Sequence, residues 1–141
     1  MTERPFNIAQ IDHVVIRVRD IQSMLRFYID VVGCSIEREI ESIGLYQLRA
    51  GASLIDLVDA HGELGLKGGE PPQPKGGNMD HLCVRVNPWD ADAIQAYLKN
   101  AGAAPGDVEQ RNGAEGEGPS IYFEDPEGND IEFKGPADTT D

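Results

Sequence analysis

The chain has 141 residues, 40% hydrophobic and 26% charged, with a formal net charge of −13. That length suits one ordinary domain, or two small halves that share a core, and not two independent domains. The acidic balance would repel a phosphate backbone, with no Lys/Arg run to offset it, and no apolar run approaches the ~20 residues needed to span a bilayer, so nucleic acid and membrane are both argued against as partners.

Residues 1–10 read as an N-terminal arm without an apolar h-region or a small-residue cleavage site, so a cytoplasmic location is expected. Residues 11–18, IDHVVIRV, alternate in polarity and predict a strand. Asp20 then caps a helix whose apolar stripe runs through Ile21, Met24, Leu25, Tyr28 and Val32 and stops at Gly33. Three short strands follow at 34–41, 44–50 and 52–59. Residues 61–78, HGELGLKGGEPPQPKGGN, have linker composition and no packing pattern of their own.

Residues 79–86, MDHLCVRV, then repeat the opening strand: the same Asp-His pair, the same alternation, and an Arg four residues after the His. Asn87-Pro88 reads as the cap and first turn of a second helix, striped by Ile94, Tyr97, Leu98 and Ala101 and ended by Gly102. Strands at 107–111, 119–124 and 129–134 complete the copy, with the Gly-rich run 112–119 as a loop mobile enough to act as a lid. Residues 136–141 read as a frayed tail. The chain is therefore expected to be α+β, one domain over 11–135 made of two βαβββ modules (11–60 and 79–135) about a pseudo-twofold axis, whose curved mixed sheets form a cup. Cys34 and Cys83 lie far apart without a CxxC pattern and are expected to be small core residues.

Alternation fixes which side chains face the cup. Val14, Ile16 and Val18 should cover the first helix, leaving His13, Val15 and Arg17 on the opposite face; Leu82, Val84 and Val86 do the same in the second copy, leaving His81, Cys83 and Arg85. In the last strand of each module, Ile55 and Leu57 pack while Asp56 faces away, and Ile131 and Phe133 pack while Glu132 faces away. Curling both helix-free faces inward would bring His13, His81 and Glu132, with the shorter Asp56, to a common centre. Two imidazoles and a carboxylate suit Zn, Ni, Mn, Fe(II) or Co, with open positions for water or substrate. Arg17 and Arg85 share that face and are candidates for an anionic substrate. There is no GxxxxGK[ST] loop and no G-x-S-x-G elbow, which sets nucleotide-dependent and serine-hydrolase chemistry aside.

Three segments in order, IDHVVIRVRD, MDHLCVRV and SIYFEDPEGNDIEF, resemble the vicinal oxygen chelate superfamily, which includes glyoxalase I, bleomycin-binding proteins, fosfomycin-modifying enzymes and extradiol dioxygenases. The resemblance spans Ile11 to Gly135, and the last segment is similar to an Asp-Pro-x-Gly-Asn-x-x-Glu signature from Asp125 to Glu132. It implies a βαβββ pair holding one divalent ion through His13, His81 and Glu132. A fourth ligand position falls on Asp56, where the family usually has Glu. Tyr122 matches an active-site Tyr of extradiol dioxygenases, which also use an acid-base His; here only His61, in the linker, remains.

The implied activity is a metal-dependent lyase or isomerase of the glyoxalase type, in which the ion chelates vicinal oxygens of a small substrate and Glu132 or Asp56 moves a proton. The alternatives are an extradiol-type dioxygenase and a non-catalytic small-molecule binding or resistance protein. Family habit and exposed sheet edges predict a homodimer.

Overall fold

The computed structural model describes residues 3–138. The first module opens with β1 (His13–Val18), followed by α1 (Ile21–Arg26) and a π-helical continuation, Phe27–Val32. The Asp20 carboxylate accepts a hydrogen bond from the Ser23 N–H, the expected N-cap. At the far end Gly33 takes a φ of +98°, a left-handed conformation that glycine adopts without Cβ strain, and the chain turns into the next strand. β2 (Ser35–Ile40), β3 (Leu45–Ala50) and β4 (Ser53–Asp59) complete a sheet of order β1-β4-β3-β2.

The second module repeats this plan. It runs through β5 (His81–Arg85), α2 (Ala91–Asn100), β6 (Glu109–Gly113), β7 (Gly116–Glu124) and β8 (Asp130–Lys134), in a sheet of order β5-β8-β7-β6. In both sheets the first strand of the module runs parallel to the last, and the other pairings are antiparallel. The architecture is thus α+β with two similar halves, as expected.

The helix-side residues of both sheets share one core. Ile16, Val18, Leu48, Ile55 and Leu57 of the first sheet join Met24, Leu25 and Tyr28 of α1 and its continuation, and the same cluster takes in Leu98, Ile121, Phe123, Ile131 and Phe133. The ring of Phe27 lies 6.1 Å from that of Phe123 across the modules. Polar contacts pin the halves as well. The buried Tyr28 hydroxyl donates to Asp125 Oδ2 at 2.8 Å, and the Glu127 carboxylate accepts from the backbone N–H groups of Arg19 and Asp20. The Asp-Pro-x-Gly-Asn turn therefore acts as an inter-module clasp, with Asp125 also accepting from the backbone of Glu127 and Asn129.

Several local expectations are corrected. The second helix is capped by Asp90, whose carboxylate accepts from the Ala93 N–H at 3.1 Å; Asn87-Pro88, joined by a cis peptide, precedes it in the turn. The run 112–119 is not a mobile loop, because β6 and β7 pair down to Gly113↔Gly116 and leave only a tight turn at 114–115. Its glycines look loop-like in sequence, yet Gly118 is buried where a Cβ would stand 2.4 Å from the Pro136 carbonyl oxygen. Pro136–Asp138 accordingly lie against β7, with the Asp138 N–H bonded to the Glu117 carbonyl; the remainder of the expected tail, 139–141, lies outside the described residues. No described helix is long and apolar enough to cross a membrane.

Removing the Tyr28 hydroxyl takes one donor from a buried carboxylate without creating a large void. Tyr28→Phe is expected to lower unfolding free energy by about 1–3 kcal/mol, measured by urea denaturation with an unchanged m-value.

Candidate functional site

Strand pairing sets the chemistry on the face of each sheet opposite the helices. In the first sheet, register aligns Val15 with Asp56 and Asp56 with Gln47; in the second it aligns Cys83 with Glu132 and Glu132 with Tyr122. Asp56 and Glu132 are repeat-equivalent, as are Gln47 and Tyr122. Both carboxylates are deeply buried, at 2% and 3% exposure, while His13 and His81 stand more open at the strand starts.

In the second module, His81 Nε2 lies 3.0 Å from Glu132 Oε1. The Tyr122 hydroxyl donates to the same oxygen at 3.0 Å, and the Ser120 hydroxyl donates to Oε2 at 2.5 Å. In the first module, His13 Nε2 lies 4.0 Å from Asp56 Oδ2, which accepts from the Gln47 amide at 3.0 Å. Asp56 Oδ1 is buried with no hydrogen-bond partner among the described residues.

The Asp of each Asp-His pair has a job of its own. Asp12 Oδ1 and Asp80 Oδ2 lie 2.7 Å from Nδ1 of His13 and His81 respectively. A carboxylate can only accept, so each Nδ1 carries a proton and Nε2 is the nitrogen presented to the open face. A carboxylate hydrogen-bonded to Nδ1 in this way orients imidazole ligands in metal sites.

The sequence-derived residues thus form two pairs, His13 with Asp56 and His81 with Glu132, and not one cluster. Among the described residues no three His, Cys, Asp or Glu side chains gather as a metal ion would require. Convergence of His13, His81 and Glu132 inside a single chain is therefore corrected. The first pair sits on the β1-β4-β3-β2 sheet and the second on the β5-β8-β7-β6 sheet, and each imidazole faces the carboxylate of its own sheet.

Other expected roles also change. Arg17 is not free for an anion, since its guanidinium donates to the carbonyls of Gly65, Gly69 and Glu70 and ties down the linker. Gly68 is there because a Cβ would sit 2.3 Å from Arg17 Nε. Arg85 pairs with Glu115 at the β6–β7 turn, at 2.6 Å. His61 stays an exposed loop residue. Cys34 is buried as expected, whereas Cys83 is exposed, because it shares the His81 face. A cavity of about 660 Å³ opens between the modules, with His13 on one wall and Cys83 and Arg85 on the other, among Val14, Leu82 and Val84.

Comparison with known proteins fixes the lineage. The family model of the Glyoxalase/Bleomycin resistance protein/Dioxygenase superfamily matches residues 10–133. The chain belongs to that superfamily. Within it, Virulence protein STM3117 of Salmonella typhimurium is 33% identical over 130 residues, covering 89% of this chain and 83% of that protein. The crystal structure of STM3117 superposes with a TM-score of 0.77 over 94% of this chain and all of its own, at 30% identity. The fold is shared more distantly with Lactoylglutathione lyase from Agrobacterium tumefaciens (TM-score 0.65, 18% identity, 94% and 96% coverage). It is also shared with TnmS3, an antibiotic binding protein from Streptomyces sp. CB03234 (TM-score 0.69, 23% identity, 94% and 99% coverage). The superfamily typically binds a divalent metal, and it includes lyases and dioxygenases as well as non-catalytic resistance proteins.

Both imidazoles are held above the ordinary histidine value of 6.5, first by the hydrogen bond to the preceding Asp and also by the facing carboxylate, against partial desolvation. A raised folded-state value adds stability that is complete below 6.5 and lost as pH rises through the raised value. Chelator-treated protein should therefore lose melting temperature as pH rises above 6.5. A His13→Asn/His81→Asn variant should show a shallower slope in the same thermal melts.

Proposed function

We propose that the protein is a divalent-metal-dependent enzyme of the glyoxalase type, acting in the cytoplasm as a homodimer. In this reading His81 and Glu132 of one subunit and the partner subunit's His13 hold one ion, drawn from Zn, Ni, Mn, Fe and Co. The observation that carries it is the pair of half-sites, each an imidazole oriented through Nδ1 beside a buried carboxylate, one of which has an unpartnered oxygen.

The donor set fits such an ion. Neither half offers three ligands, but the two together offer two imidazole Nε2 atoms and a carboxylate, which is the borderline set these metals take, with room left for substrate. When bound, the ion supplies Lewis acidity to a pair of adjacent substrate oxygens. The chain's own residues do the rest. Asp12 and Asp80 keep the imidazoles aimed, Ser120 and Tyr122 fix the rotation of Glu132, and Asp56 offers a carboxylate oxygen that can accept a substrate proton. Burial of both carboxylates strengthens the contacts that Gln47 makes to Asp56 and that Ser120 and Tyr122 make to Glu132 by excluding water.

A second reading, small-molecule binding without turnover, is favoured by the mostly apolar cavity beside His13. Metal content separates the two. Protein purified without chelators should carry close to one equivalent of metal per chain by elemental analysis, and His81→Ala should carry less than about a tenth of that. Wild-type protein that is itself below a tenth would favour the binder. A turnover screen then sorts the chemistry: a methylglyoxal-glutathione hemithioacetal as substrate selects the lyase, and catechol ring cleavage selects a dioxygenase assisted by Tyr122.

Subunit mixing tests where the ion sits. Neither His13→Ala nor His81→Ala should hold metal alone. After co-refolding in equal amounts, half of the dimers are mixed and each rebuilds one intact site, restoring about a quarter of wild-type metal. A site closed within one chain would regain none.

A further inference from the structure

The stretch ahead of β1 leaves its apolar side chains in water. Phe6, Ile8 and Ile11 are 61%, 84% and 77% exposed, and residues 3–12 are exposed throughout and lie outside every helix and strand. Among the described residues, 4–10 make no backbone-to-backbone hydrogen bond. Phe6 and Ile8 are two apart, so an extended arm sends both to one face.

A complementary surface runs along β5, which is an edge of its sheet. Its residues Leu82 to Val86 all line the cavity of about 660 Å³ between the modules. A second groove of about 320 Å³ continues from there, sharing Val32 and Val86 and adding Pro88, Ile94 and Tyr97. The Val86 N–H donates inward to the Lys134 carbonyl, so the alternate residues Cys83 and Arg85 turn their backbone groups to the free edge. On β1 the Asp12 carbonyl accepts inward from Leu54, so Ile11 and, along an extended arm, Ala9 face outward in the same way. An unpaired edge beside an apolar groove is a template for an extended segment.

We infer that this segment is the N-terminal arm of a second copy of the chain, paired antiparallel with β5 so that Ile8 and Phe6 enter the groove beside Val86. The inference uses the dimer proposed above and not its ion. The chain's own arm does not take the place, since it stays exposed. Direction and register follow from the repeat. β1 and β5 are equivalent edges, and an antiparallel pair of equivalent strands is balanced when equivalent residues oppose, which sets the partner's His13 against His81. The partner's Ile11 and the partner's Ala9 then oppose Cys83 and Arg85, outward group to outward group, and the partner's Ile8 opposes Val86 on the cavity face. The parallel direction would lay the arm against the polar linker that ends at Asn78. The exchange is reciprocal, as a twofold dimer requires. Each subunit gives residues 4–10 and receives an arm on 82–86, about half of the roughly 20–30 residues a side in a stable interface.

A native thiol makes the register testable. Ile11→Cys puts a second thiol opposite Cys83 at the ~5.5 Å Cα spacing of a hydrogen-bonded antiparallel pair, which a disulfide spans. Mildly oxidised in the presence of chelator, this variant should run as a covalent dimer on a non-reducing gel, and Ile11→Cys/Cys83→Ser should not. Phe6→Asp should raise the dimer dissociation constant about thirtyfold in sedimentation equilibrium. Its melting temperature at monomer-forming dilution should match the wild type, because Phe6 is exposed in the single chain. A thiol pair that stays open or closes within one chain, or a Phe6→Asp variant that dimerises like the wild type, overturns the arm exchange and leaves the metal-dependent reading to its own assay. A monomeric wild type removes the arm exchange and the dimer together. A covalent dimer from protein that takes up no zinc keeps the arm exchange and removes the ion.

Discussion

A β-strand has two faces, and committing one to a core commits the other to whatever lies opposite. That constraint governs this molecule. Ile16, Val18 and Leu57 of the first sheet and Ile131 and Phe133 of the second are drawn into a single apolar cluster with α1 and α2. His13, Asp56 and Gln47, and likewise His81, Glu132 and Tyr122, alternate with those residues and have nowhere to go but the open faces. The same burial that stabilises the fold, at roughly 25 cal/mol for each Å² of apolar surface removed from water, therefore also presents the polar set.

Much of the fold was legible because duplication let each half check the other. Asp20 as cap, Gly33 as stop and the eight strands all follow from period and punctuation, and the strand ends fall within a few residues of expectation. What failed was local and polar. Asn87-Pro88 is a plausible helix start on composition, but Asp90 has the side chain that reaches the Ala93 N–H. The glycines from 113 to 118 read as a loop, yet they admit close neighbours: a Cβ at Gly113 would stand 2.3 Å from Lys134 Cε, in the ladder that buries that lysine. A glycine that permits packing and a glycine that permits a turn are the same letter.

The site was legible by strand and face but not by assembly. Alternation put His13, Asp56, His81 and Glu132 on the same side of their sheets, and the repeat marked His13 with His81 and Asp56 with Glu132. It could not say how the modules dock, which depends on three-dimensional complementarity such as Phe27 against Phe123 and the Glu127 clasp on Arg19 and Asp20. Gln47 and Ser120 were missed because their role lies in cross-strand register, which has no local sequence signal. Asp12 and Asp80 did have one: the Asp-His dipeptide occurs twice, and an aspartate that orients each imidazole through Nδ1 is repeated along with it.

Splitting the donor set between two faces has a thermodynamic consequence. Each chain alone carries a buried carboxylate pair whose desolvation is only partly offset by a neighbouring imidazole, Gln47, Tyr122 or Ser120. On the proposed reading an ion relieves that penalty only when two chains meet, so it binds the dimer and not the separated subunits. Linkage then requires the reciprocal effect: metal tightens association by the same factor by which association tightens metal binding, with about 1.4 kcal/mol for every tenfold.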